Sequence, residues 1–185
     1  AGIVESRTLF DDRAAAAPLA APASGVRTLT ILYGSETGNS TALSKAFAEQ
    51  ARAHGLVAQV YDMASYKTRQ LKDEQDLLVI TSTHGEGDAP QTAVGFFEFL
   101  ASRKAPRLPQ LRYGVLALGD STYERYCEAG RRIDRRLEEL GAQRLADRVD
   151  CDVDYEDGAA AWTASVVDSL APTVRTSGSV VAPAA

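Results

Sequence analysis

The chain has 185 residues, 20 of them Lys or Arg and 25 Asp or Glu, for a formal net charge of −5. That length suits one domain with tails, and the acidic balance excludes a general nucleic-acid or membrane-surface binder, which needs a basic face. The cysteines are Cys127 and Cys151 alone, so a disulfide framework and a Cys-rich zinc site are excluded, and the expected setting is reducing and cytoplasmic.

No apolar run approaches the ~18 residues needed to cross a bilayer. Residues 1–27 read as an N-terminal extension or linker, because Ala14–Pro22 is rich in Ala and Pro and lacks a folding pattern. Thr28–Tyr33 is a short β-rich apolar run. Ser40–His54 follows as a helix with Leu43, Phe47 and Ala51 on one face, and Gly55 stops it. Leu56–Tyr61 reads as a strand. Leu77–Thr81 is continuously apolar, the pattern of a strand buried on both faces. Val94–Leu100 carries Phe96, Phe97 and Leu100 at helical spacing. Tyr113–Leu118 is a second fully buried strand. Arg131–Leu140 presents Ile133, Leu137 and Leu140 on one face and ends at Gly141. Arg144–Val149 is a weaker strand, and Ala159–Leu170 a last helix with Trp162, Val166 and Leu170 aligned. Residues 171–185 read as a C-terminal linker. With Ala1 in place of a starting Met, the two ends fit a piece of a longer polypeptide.

Strand and helix alternate five times over residues 28–170, which predicts an α/β domain. Its sheet would be parallel and five-stranded, in the order 2-1-3-4-5, with helices on both faces. Ligands of such folds bind beyond the carboxyl ends of the strands, so the segments following the strands carry the functional information. After the first strand, Gly34-Ser35-Glu36-Thr37-Gly38-Asn39-Ser40-Thr41 offers backbone N–H groups, hydroxyls and a helix start to an anion. It lacks the Gly-Lys-Ser/Thr core of a triphosphate loop. No Lys or Arg occurs from Thr28 to Ser44, which suits a buried phosphate monoester. The same residues also suit an ordinary helix cap. After the third strand, Ser82-Thr83-His84-Gly85-Glu86-Gly87-Asp88 is a flexible glycine loop. Its lone His argues against a metal. After the fourth, Gly119-Asp120-Ser121-Thr122-Tyr123-Glu124-Arg125-Tyr126-Cys127 places two tyrosines where a ring can stack on a planar ligand. Cys127 has no adjacent base and does not read as a nucleophile. A phosphate cradle, glycine loops and an aromatic platform on one sheet edge fit a planar ring with a phosphate tail, such as FMN.

Acid is concentrated in one place. Asp147, Asp150, Asp152, Asp154, Glu156 and Asp157, against Arg148 alone, carry the whole net charge. This stretch suits either a solvated loop or a patch that steers a positive partner.

The stretches Gly34–Asn39, Thr81–Asp88 and Leu118–Glu124 resemble the three FMN loops of flavodoxin-like domains in diflavin reductases. Together with Gly141–Asp150 and Trp162, they are most similar to the sulfite reductase flavoprotein branch of that family. The resemblance covers about Thr28 to Leu170. It implies that Ser35, Glu36, Thr37, Gly38, Asn39 and Ser40 wrap the FMN phosphate. It implies that Ser82, Thr83, His84 and Gly85 line the ring near N5. In the stretch Leu118, Gly119, Asp120, Ser121, Thr122, Tyr123, Glu124, Arg125, Tyr126 and Cys127, Tyr123 would stack on the isoalloxazine. Asp150 and Asp152 would lie close to the flavin and lower its potential. His84 stands where cytochrome P450 reductases carry a stacking tyrosine. No metal and no catalytic side chain are expected. The resemblance further implies electron transfer, one electron at a time, from an FAD/NADPH reductase module to the sirohaem/iron–sulfur (beta) subunit that reduces sulfite to sulfide for cysteine biosynthesis. No second dinucleotide-binding unit follows in these residues, so FAD and NADPH belong to an absent module. The other readings are a free-standing flavodoxin-type carrier, the FMN domain of another diflavin reductase, and a quinone reductase of the same fold. A phospho-acceptor receiver fits poorly, because paired acids are missing after the first strand.

Overall fold

A computed structural model describes residues 27–175 of the chain, and the greater part of both expected linkers lies outside them. The strands are β1 (Thr28–Gly34), β2 (Val57–Asp62), β3 (Asp76–Ser82), β4 (Arg112–Leu118), β5 (Gln143–Arg144) and β6 (Val149–Cys151). The helices are α1 (Asn39–Ala53), α2 (Val94–Ala101), α3 (Glu128–Glu139) and α4 (Glu156–Arg175). All strand pairs are parallel, and the order β2-β1-β3-β4-β5 is the one expected from the alternation. α4 continues past Leu170 to Arg175.

Strand alternation divides the core in two. Leu77 and Val79 of β3 face one side with Tyr113 and Val115 of β4, where α2 and α3 cover them through Phe96, Phe97, Ile133 and Leu137. Leu78, Ile80 and Leu116 face the other side, where Phe47 of α1 and Trp162 of α4 meet at a ring distance of 5.6 Å. Two buried faces explain why β3 and β4 are nearly continuous apolar runs. At the amino-terminal edge, the carboxylate of Asp76 accepts hydrogen bonds from Arg27 (2.9 Å) and Arg112 (2.7 Å), which ties β1, β3 and β4 together.

The fifth sheet position differs from the single strand expected over Arg144–Val149. Gln143 and Arg144 pair with Arg112 and Tyr113, whereas Val149–Cys151 pair with Leu116–Leu118. The chain between them leaves the ladder, because four residues oppose only two of β4. Arginines hold this excursion. Arg144 and Arg148 both donate to the buried Asp134 of α3 at 3.0 Å, and Arg148 also donates to Asp150 at 2.8 Å. Arg144 keeps its place on the ladder, and the bonds of Arg148 to Asp134 and Asp150 fasten the excursion that interrupts the strand before Val149.

α3 begins three residues before the expected Arg131. Cys127 precedes it in the left-handed region, with φ 56°. Gly130 then lets the helix lie directly on β4, where a Cβ would overlap that of Ala117.

Candidate functional site

The loops after β1, β3 and β4 and the segment after β6 enclose a cleft of about 420 Å³ at the carboxyl edge of the sheet. That lies within the roughly 300–1,000 Å³ of small-molecule sites.

The first loop forms its anion cradle from backbone. Gly38 adopts φ 94°, and its N–H donates to the Ser35 hydroxyl at 2.9 Å. No side chain caps α1, and the first helical bond runs from Ala42 N–H to Gly38 O. The amides of Asn39, Ser40 and Thr41 therefore have no acceptor within the helix and sit at its positive end. Ser40 is fully buried, yet its hydroxyl has no partner within the chain. Helical Cβ atoms tilt toward the amino terminus, so the Ser40 side chain leaves the helix on the side of the loop. Buried polar groups are normally paired. A hydroxyl orphaned beside free amides fits a missing phosphate oxygen. Glu36, Thr37 and Asn39 line the cleft, whereas Ser35, Gly38 and Ser40 do not.

The second loop is a tight hairpin. His84 and Asp88 exchange backbone hydrogen bonds of 2.8 and 2.9 Å, and Gly85 and Gly87 take positive φ of 50° and 111°. Thr83 N–H donates to Leu118 O at 3.0 Å, and the Thr83 hydroxyl accepts from Ala129 N–H at 3.2 Å, which anchors this hairpin to β4 and α3. Ser82, Thr83, His84 and Gly85 all line the cleft, and the Ser82 hydroxyl is a second buried group without a partner.

In the third loop, Asp120 accepts from the amide (2.9 Å) and hydroxyl (2.6 Å) of Thr122, a local turn that presents Tyr123. Tyr123 is 46% exposed at the cleft mouth. Leu118, Gly119, Asp120, Arg125, Tyr126 and Cys127 line the wall, whereas Ser121, Thr122 and Glu124 do not. Gly119 is required here, because a Cβ would lie 2.9 Å from Cys127 N and 3.0 Å from its sulfur. Burial above all, then Asp150, pushes the Cys127 thiol up to about 12, so it stays protonated at neutral pH and is no nucleophile. Burial likewise raises the Tyr126 phenol.

The two acids expected near a ligand part company. Asp152 lines the cleft and accepts from Ser121 N–H at 3.0 Å and Val153 N–H at 2.8 Å. Hydrogen bonds from the Ser121 hydroxyl, then from the backbone of Ser121 and Val153, hold its carboxyl below the ordinary value. A depressed folded value means that this tie is present above the unfolded pKa and lost as pH falls through the lower folded one, so it persists at neutral pH. Asp150 lies outside the cleft lining. It sits within β6, paired with Arg131 at 3.4 Å and Arg148 at 2.8 Å.

Sequence reasoning missed Val153 and Tyr155, which complete the wall, Val153 being 67% exposed. They follow the fifth sheet position. Reading the segment after every strand, rather than after three of them, finds both. An exposed tyrosine and an exposed valine at the mouth of a hydroxyl- and amide-lined cleft suit an aromatic ring with an anionic tail. Arg125 is the single Lys or Arg in the lining, against Glu36, Asp120 and Asp152.

Comparison with known proteins agrees with this geometry. The flavodoxin family model matches residues 31–162. The flavoprotein alpha-component of NADPH sulfite reductase from Shewanella sp. (strain MR-4) is 49% identical over 160 residues, covering 86% of this chain and 26% of that protein. Its namesake from Bacillus subtilis (strain 168) is 44% identical over 175 residues, covering 91% of this chain and 29% of that protein. The chain thus spans little more than a quarter of the length of these relatives. Among solved structures, a flavodoxin of Streptococcus pneumonia TIGR4 superposes with a TM-score of 0.70 at 26% identity, over 78% of this chain and 98% of that one. A point mutant of the flavodoxin from Pseudomonas aeruginosa gives 0.68 at 26% identity.

Proposed function

The chain belongs to the flavodoxin family, and from that premise we propose that it binds FMN in the carboxyl-edge cleft and serves as the electron-relay domain of a sulfite reductase flavoprotein. The observation that carries the cofactor is the cradle at the start of α1: free amides, a buried unpartnered Ser40 hydroxyl and no cation. That donor set suits a phosphate monoester held by N–H and O–H groups alone. When bound, FMN supplies one-electron transfer, and the protein supplies position and electrostatics.

The residues divide the work. Thr37, Asn39 and Ser40 would hold the phosphate. Tyr123 would cover one ring face, and His84 with the Gly85 backbone would border the ring edge. Val153 and Tyr155 would exclude water from the far wall. Donors and acceptors of electrons in this reading are an FAD/NADPH reductase module and the sirohaem/iron–sulfur beta subunit, in cytoplasmic sulfite reduction for cysteine biosynthesis. The likeness to sulfite reductase flavoprotein alpha-components supports that assignment. No helix among the described residues is long and apolar enough to cross a membrane. A second reading is a free-standing flavodoxin carrier, favoured by the 98% coverage of the pneumococcal flavodoxin.

The test is a flavin-fluorescence titration of the chain. FMN should saturate a single site, and riboflavin, which lacks the phosphate, should bind about a hundredfold or more weakly, the loss of two or more charge-assisted hydrogen bonds. A folded chain that binds neither, or binds both alike, overturns the reading. Full-length protein reducing its haemoprotein subunit with NADPH separates the sulfite reductase assignment from the free carrier.

Electrostatic control of the bound flavin should reside more in Asp152 than in Asp150. Asp152→Asn is expected to raise the two-electron potential by on the order of 20 mV, because it removes an acid from the cleft wall. Asp150→Asn should move it less, because that carboxylate lies outside the cleft lining. Anaerobic spectroelectrochemistry reads both. Equal shifts in the two variants would show that overall charge, not the cleft wall, sets the potential.

A further inference from the structure

Glu36 presents a physical problem. It sits within the anion cradle, where no Lys or Arg offsets it between Thr28 and Ser44, and a carboxylate there repels a phosphate. Its side chain, however, is committed elsewhere. Oε2 accepts the backbone N–H of Gln91 at 3.1 Å, across 55 residues of sequence. Oε1 lies 3.9 Å from Nδ1 of His84. Gln91 opens the 3₁₀ turn that leads into α2, and His84 opens the second-loop hairpin.

That hairpin is held on its other side as well. Thr83 is bound to Leu118 and Ala129, and the Arg125 side chain packs so closely on Gly87 that a Cβ there would lie 3.0 Å from it. On the side of the first loop, Glu36 supplies the hydrogen bond to Gln91 and lies beside His84.

We propose that Glu36 is a positioning residue whose carboxylate straps the phosphate loop to the second loop, so that ordering the phosphate end of the cleft also sets the shape of its ring end. The proposal rests on the flavin reading above. The carboxylate's useful property is its acceptor oxygen on Gln91, and its charge is a cost at the cradle.

Glutamine separates the two properties, because its amide oxygen can accept from Gln91 without the charge. The experiment compares the wild type, Glu36→Gln and Glu36→Ala by two readouts. The first is hydrogen exchange at the Gln91 amide in flavin-free protein. The second is affinity for FMN and for riboflavin. In Glu36→Ala, exchange at Gln91 should accelerate about tenfold, and both flavins should bind about tenfold more weakly, the loss of one hydrogen bond to a charged acceptor. In Glu36→Gln, Gln91 should remain protected, riboflavin should bind as to the wild type, and FMN at least as tightly.

If Gln and Ala both tighten FMN and spare riboflavin, Glu36 acts through charge alone and the strap is overturned. If neither variant changes Gln91 exchange or riboflavin affinity, it is overturned as well. A wild-type chain that binds neither flavin overturns the flavin reading, and with it the coupling, while the exchange measurement still reports whether the strap exists.

Discussion

Gly130→Ala is expected to lower the free energy of unfolding by about 3 kcal/mol, at the upper end for overpacking by a single methyl group, and to weaken flavin binding along with it. The added Cβ would overlap the Cβ of Ala117 and lie 3.2 Å from its Cα. Neither can yield locally. Ala117 is fully buried in a strand paired with β3 and β6, and Gly130 lies in the first turn of α3. The helix as a whole must therefore lift from the sheet. It begins directly after Tyr126 and Cys127, both in the cleft wall, and its Ala129 amide anchors Thr83 of the second loop. Lifting α3 thus disturbs two loops together, which joins the stability effect to the functional one.

The mechanism makes a sharper demand. If the cost is this one collision, Ala117→Gly removes the opposing methyl group and should recover most of the loss in the double variant, short of about 1 kcal/mol for glycine in a strand. Urea unfolding of the four proteins closes the cycle. Additive losses would place the strain elsewhere in α3. The comparison matters because alanine normally improves a helix, so propensity alone gives the opposite sign.

What the sequence reveals follows from which interactions are local. The parallel sheet was legible because strands buried on both faces, such as Leu77–Thr81 and Tyr113–Leu118, need apolar residues at every position. The glycine loops were legible because their conformations need φ values that other residues avoid, as Gly38 and Gly87 show. The break between β5 and β6 was not legible. Leu145-Ala146-Asp147-Arg148 reads as an ordinary edge strand, and Asp134, which fastens Arg148 off the ladder, lies on a different element. The separation of Asp150 from Asp152 has the same origin. Two acids at i and i+2 share a face only while the strand continues, and β6 ends at Cys151. Asp150 then faces the arginines and Asp152 the cleft. The strap formed by Glu36 was equally hidden, because its partner is a backbone amide 55 residues away.

Ser40→Ala should move stability and binding in opposite directions. In the flavin-free protein the Ser40 hydroxyl is desolvated without a hydrogen bond. A buried unsatisfied group costs about 1–3 kcal/mol, so its removal should raise the free energy of unfolding by about 1 kcal/mol, aided by the better helix propensity of alanine. The same hydroxyl should donate to a phosphate oxygen when FMN is bound. Losing a charge-assisted bond of about 1.5–3 kcal/mol should weaken FMN tenfold to a hundredfold. Riboflavin affinity should stay as in the wild type. Ser44→Ala is the control. Ser44 is equally buried one turn later, but its hydroxyl already donates to Ser40 O at 2.8 Å, so its loss should bring no gain in stability and no change in FMN binding. A protein whose binding group is paid for in its own stability holds that group for a ligand, whereas a structural serine loses stability when truncated. If Ser40→Ala destabilises the flavin-free chain, or weakens FMN and riboflavin equally, the cradle at the start of α1 is a helix cap and the phosphate must be sought elsewhere in the cleft.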